Sequence, residues 1–210
     1  MLRKSFVCIG MWIIFMGAVV APQFLYAQCV TPPSGMVAWW PGDNNTNDII
    51  NGNNGTLMGG ATYGSGKVAG AFLLANECDG VEVNDDPTLD FGTGDLTIDA
   101  WIKTSNTLET VIIVDKLDVN NSRGYTMYIT SGGTLAIEFR DPWWHIWVSN
   151  NFNHLNDNNW HHVAIAVERN STTGGKMYVD GQLDYTFDPM TVTGDISNST
   201  HLCIGMRCGV

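Results

Sequence analysis

Apolar and polar residues alternate along most of this chain with a period of two. Between Trp160 and Glu168, the side chains of Val163, Ile165 and Val167 fall on one face and those of His162, Ala164, Ala166 and Glu168 on the other, as in a half-buried strand. A polar, glycine-bearing spacer follows over residues 169–175. Met177 and Val179 then resume the alternation until Asp180-Gly181, which predicts a hairpin turn. The best-patterned strand sets Leu96, Ile98, Ala100 and Ile102 against Thr97, Asp99, Trp101 and Lys103, and another sets Leu135, Ile137 and Phe139 against Ala136, Glu138 and Arg140. Val111 to Val114, Tyr125 to Ile129, and Val81 with Val83 add three more strands, in an order that signals an antiparallel meander. Shorter strands are predicted at Leu57-Met58, at Ala61 to Tyr63 and over residues 68–75, with a turn at residues 76–80. Residues 43–55 are dominated by Asn, Asp and Gly, which predicts a long, irregular, exposed loop. No stretch of useful length has helical period, so the fold class is all-β, and the one-sided alternation predicts two stacked sheets.

The front of the chain departs from this pattern. Arg3-Lys4 precedes an apolar run from Phe6 to Val20, and Leu25-Tyr26-Ala27 precedes Gln28. That order predicts a secretory signal peptide over residues 1–27, cleaved after Ala27, then a short lead over residues 28–34 and one domain over residues 35–210. A membrane helix is the poorer reading, because Pro22 and Gln23 stop the run short of the roughly 20 apolar residues a span requires. The expected protein is therefore exported, secreted or held at the cell surface, with no membrane span once the signal is gone.

Loss of the signal takes two basic and no acidic residues, so the formal charge falls from −11 to −13. This acidic field disfavours nucleic acid and favours cations, which makes a divalent metal a better charged partner than phosphate. Cys8 leaves with the signal. Cys29, Cys78, Cys203 and Cys208 remain, an even set in an oxidising compartment, which predicts disulfide bonding with three connectivities open. Asn44, Asn54, Asn120, Asn170 and Asn198 each begin a glycosylation sequon, relevant only in a source that glycosylates.

Several landmarks carry a family resemblance. Trp160-His161-His162-Val163-Ala164 followed by Tyr178-Val179-Asp180-Gly181 resembles the laminin G-like jelly roll, a branch of the concanavalin A-like lectin and glucanase superfamily, especially its bacterial secreted members. Gly35-Met36-Val37-Ala38-Trp39-Trp40-Pro41-Gly42-Asp43 is similar to that family's first strand, and residues 66–72, 95–102 and 202–205 match further landmarks. The resemblance implies an antiparallel two-sheet jelly-roll sandwich and a module that binds carbohydrate or an extracellular or cell-surface protein. It also implies a further strand beyond the Leu202 to Gly205 landmark, so the domain is expected to be C-terminally incomplete.

Candidate chemistry concentrates in Pro142-Trp143-Trp144-His145-Ile146-Trp147, with three tryptophans within five residues. Indole faces cover the apolar face of a sugar ring, and neighbouring polar groups fix its orientation. The candidate ligand-binding residues are Arg140, Trp143, Trp144, His145 and Trp147, with all three tryptophans in the core as the competing reading. Calcium is the expected cofactor, held by the loop after the first strand through Asp43, Asp48 and Asn53, with Asn44 and Asn47 as further neutral donors. Trp101, Tyr128, His162 and Tyr178 fall opposite their strands' aliphatic residues, but Trp101 and the Trp-His-His run match framework positions of the resembled family. Glu77, Asp79 and Glu82 have the Glu-x-Asp-x-x-Glu spacing of retaining glucanases in that superfamily, but Asp79-Gly80 reads as a turn and no nucleophile carries a local signature. The reading is a noncatalytic, secreted binding module. Its alternatives are a ligand-free structural module of a larger adhesin or enzyme and, behind that, a glycoside hydrolase.

Overall fold

The computed structural model describes residues 31–150 and 154–208, so the predicted signal peptide and Cys29 lie outside the described residues. Thirteen strands run in the order β1 (Gly55–Met58), β2 (Thr62–Ser65), β3 (Gly70–Leu73), β4 (Gly80–Val83), β5 (Leu96–Ile102), β6 (Val111–Asp118), β7 (Arg123–Ile129), β8 (Leu135–Arg140), β9 (Trp144–Val148), β10 (His161–Val167), β11 (Gly175–Val179), β12 (Gln182–Phe187) and β13 (Leu202–Ile204). Two short 3-10 turns, at Pro87–Leu89 and Pro189–Thr191, are the only helical pieces among the described residues. Neither is long or apolar enough to cross a membrane.

Seven strands form one antiparallel sheet in the order β1-β4-β13-β6-β7-β8-β9, four form a second in the order β12-β11-β10-β5, and β2 with β3 makes a separate ribbon. This is an all-β, jelly-roll-like sandwich. Its core is made by the alternating faces read from the sequence. Met127, Ile129, Leu135, Ile137 and Phe139 from the larger sheet pack with Val163, Ile165, Met177 and Phe187 from the smaller. All nine are nearly or wholly buried. Full burial of such side chains is worth roughly 1.5–3 kcal/mol each, so apolar contact across this interface is what chiefly holds the two sheets together.

Two expectations need correction. Residues 35–42 join no sheet. Their backbone groups bond the following loop instead: the Trp39 amide donates to Asp48 Oδ1 (2.9 Å), and its carbonyl accepts from the Ile49 amide (3.0 Å). That loop is not wholly exposed either, because Asp48 is buried at its centre.

Candidate functional site

The strand β9 is the edge of the larger sheet, and the pleat decides what each of its residues meets. His145 and Trp147 pair with Phe139 and Ile137 and point into the sandwich. The Trp147 ring stacks on Phe187 at 4.5 Å and meets Phe139 edge-on at 6.1 Å, so it is packed against the core. Trp144, Ile146 and Val148 point the other way and are exposed. Trp143, at the tip of the β8–β9 hairpin, is 75% exposed, and Trp144 is 65% exposed. The structure thus divides the five predicted ligand-binding residues: Trp143, Trp144 and Arg140 gather on the outer side, while Trp147 and His145 face inward.

The hairpin is held at its base. Asp141 lies before Pro142 in a cis peptide bond. Its Oδ1 meets His145 Nε2 at 2.8 Å, and its Oδ2 accepts from the Gly194 amide at 2.6 Å. Burial alone would raise the Asp141 pKa, but these bonds hold it below the ordinary carboxylate value. Asp141 and His145 therefore fasten the turn rather than offer themselves to a ligand. Arg140 sets the far side: its Nε donates to Glu138 Oε1 at 2.5 Å, and its guanidinium stands 4.2 Å from the Trp144 ring centroid. Glu138 belongs to a buried row, Asp115, Thr126 and Glu138, on the face of the larger sheet turned away from the core. Thr126 Oγ1 donates to Asp115 Oδ1 at 2.6 Å, and the Cys208 amide donates to Asp115 Oδ2 at 3.0 Å. Burial pushes the Asp115 pKa above its ordinary value despite these donors.

Beside the hairpin tip lies an open cleft of about 510 Å3, lined by Asp118, Asn121, Arg123, Pro142, Asn198 and Ser199. Sugar and cofactor pockets fall in the same size range. Its wall is fixed from beneath by buried Lys116, whose Nζ donates to Asp85 (2.8 Å) and to the carbonyls of Asn198 (2.8 Å) and Thr200 (3.1 Å). Sequence reasoning missed this cleft. Its residues come from β6, β7, two hairpin turns and the loop before β13, so no local motif unites them.

The predicted calcium loop fails a test of fit at Asp48. Calcium takes six to eight oxygen ligands with lone pairs turned toward it. Asp48 Oδ1 accepts from the amides of Trp39 and Ile50, both at 2.9 Å, and Oδ2 from those of Asn51 (3.2 Å) and Asn53 (3.1 Å). Burial acts to raise its pKa, and these four donors more than offset it, leaving the carboxyl below the ordinary value. Asn53 spends its side-chain amide on Thr88 and its carbonyl on the Trp40 indole, while Asp43 bonds the amide of Gly70. The three residues fasten the loop at separate points. Among the described residues, no three His, Cys, Asp or Glu side chains gather as a metal-holding group.

The glucanase-like spacing is dispersed as well. Glu77 and Asp79 precede β4 and only Glu82 lies on it. Asp79 is buried and accepts from the amides of Gly60, Ala75 and Asn76, so it organises the turn. Trp101, His162 and Tyr178 do share the outer face of the smaller sheet, while Tyr128 belongs to the larger one. Lys67 Nζ stands 5.2 Å from the Trp101 ring centroid, and His162 Nε2 meets Asp99 at 3.2 Å. Cys203 and Cys208 form a disulfide, and Cys78 is exposed and has no disulfide partner among the described residues.

Comparison with known proteins agrees with this architecture. Residues 76–209 match the laminin G family model described as the concanavalin A-like lectin/glucanases superfamily, and the chain belongs to that family. No curated protein matches it in sequence. Among solved structures, it is similar to the receptor-binding domain of botulinum neurotoxin C/D mosaic serotype, with 16% identity over 76% of this chain and 40% of that one (TM-score 0.59). It is also similar to the serotype D ligand-binding domain solved with N-acetylneuraminic acid, at 16% identity over 76% and 39% (TM-score 0.59). A third is the botulinum neurotoxin DC binding domain in complex with rat synaptotagmin II, at 19% identity over 77% and 41% (TM-score 0.58). At these identities the likeness is one of fold, and the chain spans about two-fifths of the length of each.

Proposed function

We propose that this protein is an exported, noncatalytic glycan-binding module whose ligand rests on the β8–β9 hairpin. The observation that carries the reading is the pair of adjacent, exposed indoles, Trp143 and Trp144, beside a polar cleft. Exposed apolar surface of this size costs solvation free energy, and on a soluble domain it commonly marks a binding surface. Indoles supply stacking area for a sugar ring, Arg140 orients the Trp144 indole from beneath, and Asn121 and Ser199 in the cleft supply hydrogen-bonding groups. The sialic acid in one structural neighbour lends support, as does the lectin content of the family. Calcium, the expected cofactor, is proposed to bind away from the Asp48 carboxylate, whose oxygens are taken by four amides. Screening the purified protein on a glycan array tests the reading: retention of a defined glycan set supports it, and retention of nothing favours a ligand-free spacer.

A further inference from the structure

Taking the glycan-binding reading as its basis, we infer that the cleft beside the hairpin selects sugars carrying an anionic group, and that Arg123 is the residue that selects them. The other arginines of the described chain are committed. Arg140 is paired with Glu138, Arg207 with Asp115, and Arg169 is buried with its Nη2 on the carbonyls of Val192 and Gly194. Among the lysines, Lys116 is buried in ion pairs with Asp85 and Asp90, Lys67 lies over Trp101, and the exposed Lys103, just after β5, and Lys176, on β11, go with the smaller sheet and do not line the cleft. Arg123 is exposed, borders the cleft, and its guanidinium makes no hydrogen bond or ion pair among the described residues. Only its carbonyl is used, by the Asn198 side chain.

The acids nearby are already occupied. Asp118 also borders the cleft, but it accepts from the amides of Asn120 and Asn121 and from the Asn121 side chain. Asp195 is held first by Ser197, whose amide donates to it, and Arg123 acts on it only through space, adding to the lowering of its pKa below the ordinary carboxylate value. Neither needs Arg123 for its hydrogen bonds. The guanidinium is a planar fork that matches a carboxylate or sulfate through two parallel bonds, which a neutral hydroxyl cannot replace. Gly124, next to Arg123, is in register with Arg140, and Arg140 with Trp144. Arg123 itself alternates with Gly124 and so leaves the sheet on the face opposite Arg140 and Trp144; the cleft is what joins it to the hairpin, because Pro142, which precedes Trp143, lines that cleft as well. An oligosaccharide resting on the exposed hairpin tip can turn an acidic sugar into the cleft past Pro142.

The test is titration calorimetry of the full chain with lactose, 3′-sialyllactose and 3′-sulfolactose, using wild type and Arg123→Gln, with melting curves to show that the variant is folded. The inference expects at least one anionic ligand to bind tenfold or more tightly than lactose, with the advantage lost in Arg123→Gln and weakened by salt. The two anionic probes separate carboxylate from sulfate selection. Equal binding of lactose and both anionic sugars would overturn the selectivity while leaving the glycan reading intact. An anionic preference unchanged by Arg123→Gln would remove Arg123 from the role, and no binding of any of the three together with a blank glycan array would overturn both.

Discussion

The guanidinium of Arg140 stands 4.2 Å from the centre of the Trp144 ring while its Nε is bonded to Glu138. A cation so held favours one orientation of an exposed indole, by about 0.5–1 kcal/mol at an open site. An ordered aromatic surface loses less entropy when a ligand settles on it. Arg140→Ala should therefore weaken ligand binding about two- to fivefold. Arg140→Lys should recover part of that loss, since the charge returns but the planar stacking does not. Titration of the best array ligand against both variants reads this directly.

The two kinds of tryptophan separate by stability. Trp147 packs among Phe139, His145 and Phe187, so Trp147→Ala should cost about 3–5 kcal/mol. Trp143→Ala, at an exposed position, should stay within about 0.5 kcal/mol of wild type. Urea denaturation of the two variants checks the contrast, and equal losses would contradict the assignment of faces.

Much of this architecture is legible in the sequence because burial imposes a period of two. Val163, Ile165 and Val167 announce their face without reference to anything distant, and so do Leu135, Ile137 and Phe139. The expected first strand does not form. Val37 to Trp40 has strand composition, but its partners are the carboxylate of Asp48 and the carbonyl of Asn53, supplied by a loop whose folding no periodicity encodes. At the candidate site, the tryptophan cluster stands out by composition alone. Which ring faces outward depends on the pairing of β9 with β8, and Arg123 and Asn198 meet only through the fold.

Asp48 yields a prediction on the loop expected to hold calcium. Asp48→Ala leaves four amides without their acceptor and should destabilise the protein by about 2 kcal/mol or more. Because the carboxylate is occupied by N–H donors, the loss in melting temperature should be the same in calcium and in chelator. A loss seen only with calcium present would place the ion on Asp48.

His161 makes stability depend on pH. Its Nδ1 meets Asp180 at 2.9 Å and its Nε2 meets Asp157 at 3.1 Å, so both nitrogens are served only when the ring is protonated. Burial acts to lower its pKa, but the two carboxylates raise it above 6.5. Asp157, bonded by Asn159 and then by His161, is lowered from 3.8 to about 2. The histidine's contribution is complete below pH 6.5 and fades as pH rises through its folded value, while that of Asp157 is complete above 3.8 and fades toward about 2. Stability should thus be greatest between these limits, and His161→Gln should flatten the alkaline side in a series of melting curves.

The Cys203–Cys208 disulfide closes a short loop whose Cys208 amide donates to buried Asp115. On the chain-entropy model, replacing both cysteines by serine should cost ~2 kcal/mol. Alkylation without reductant should label Cys78, with Cys203 and Cys208 labelled only after reduction.

Whether the exposed indoles carry the ligand is decided by calorimetric titration of the best array glycan against wild type and the double variant Trp143→Ala/Trp144→Ala. The double variant should lose at least a hundredfold in affinity while its melting temperature stays within a few degrees of wild type. Undiminished binding by a folded double variant would contradict a ligand site on these indoles.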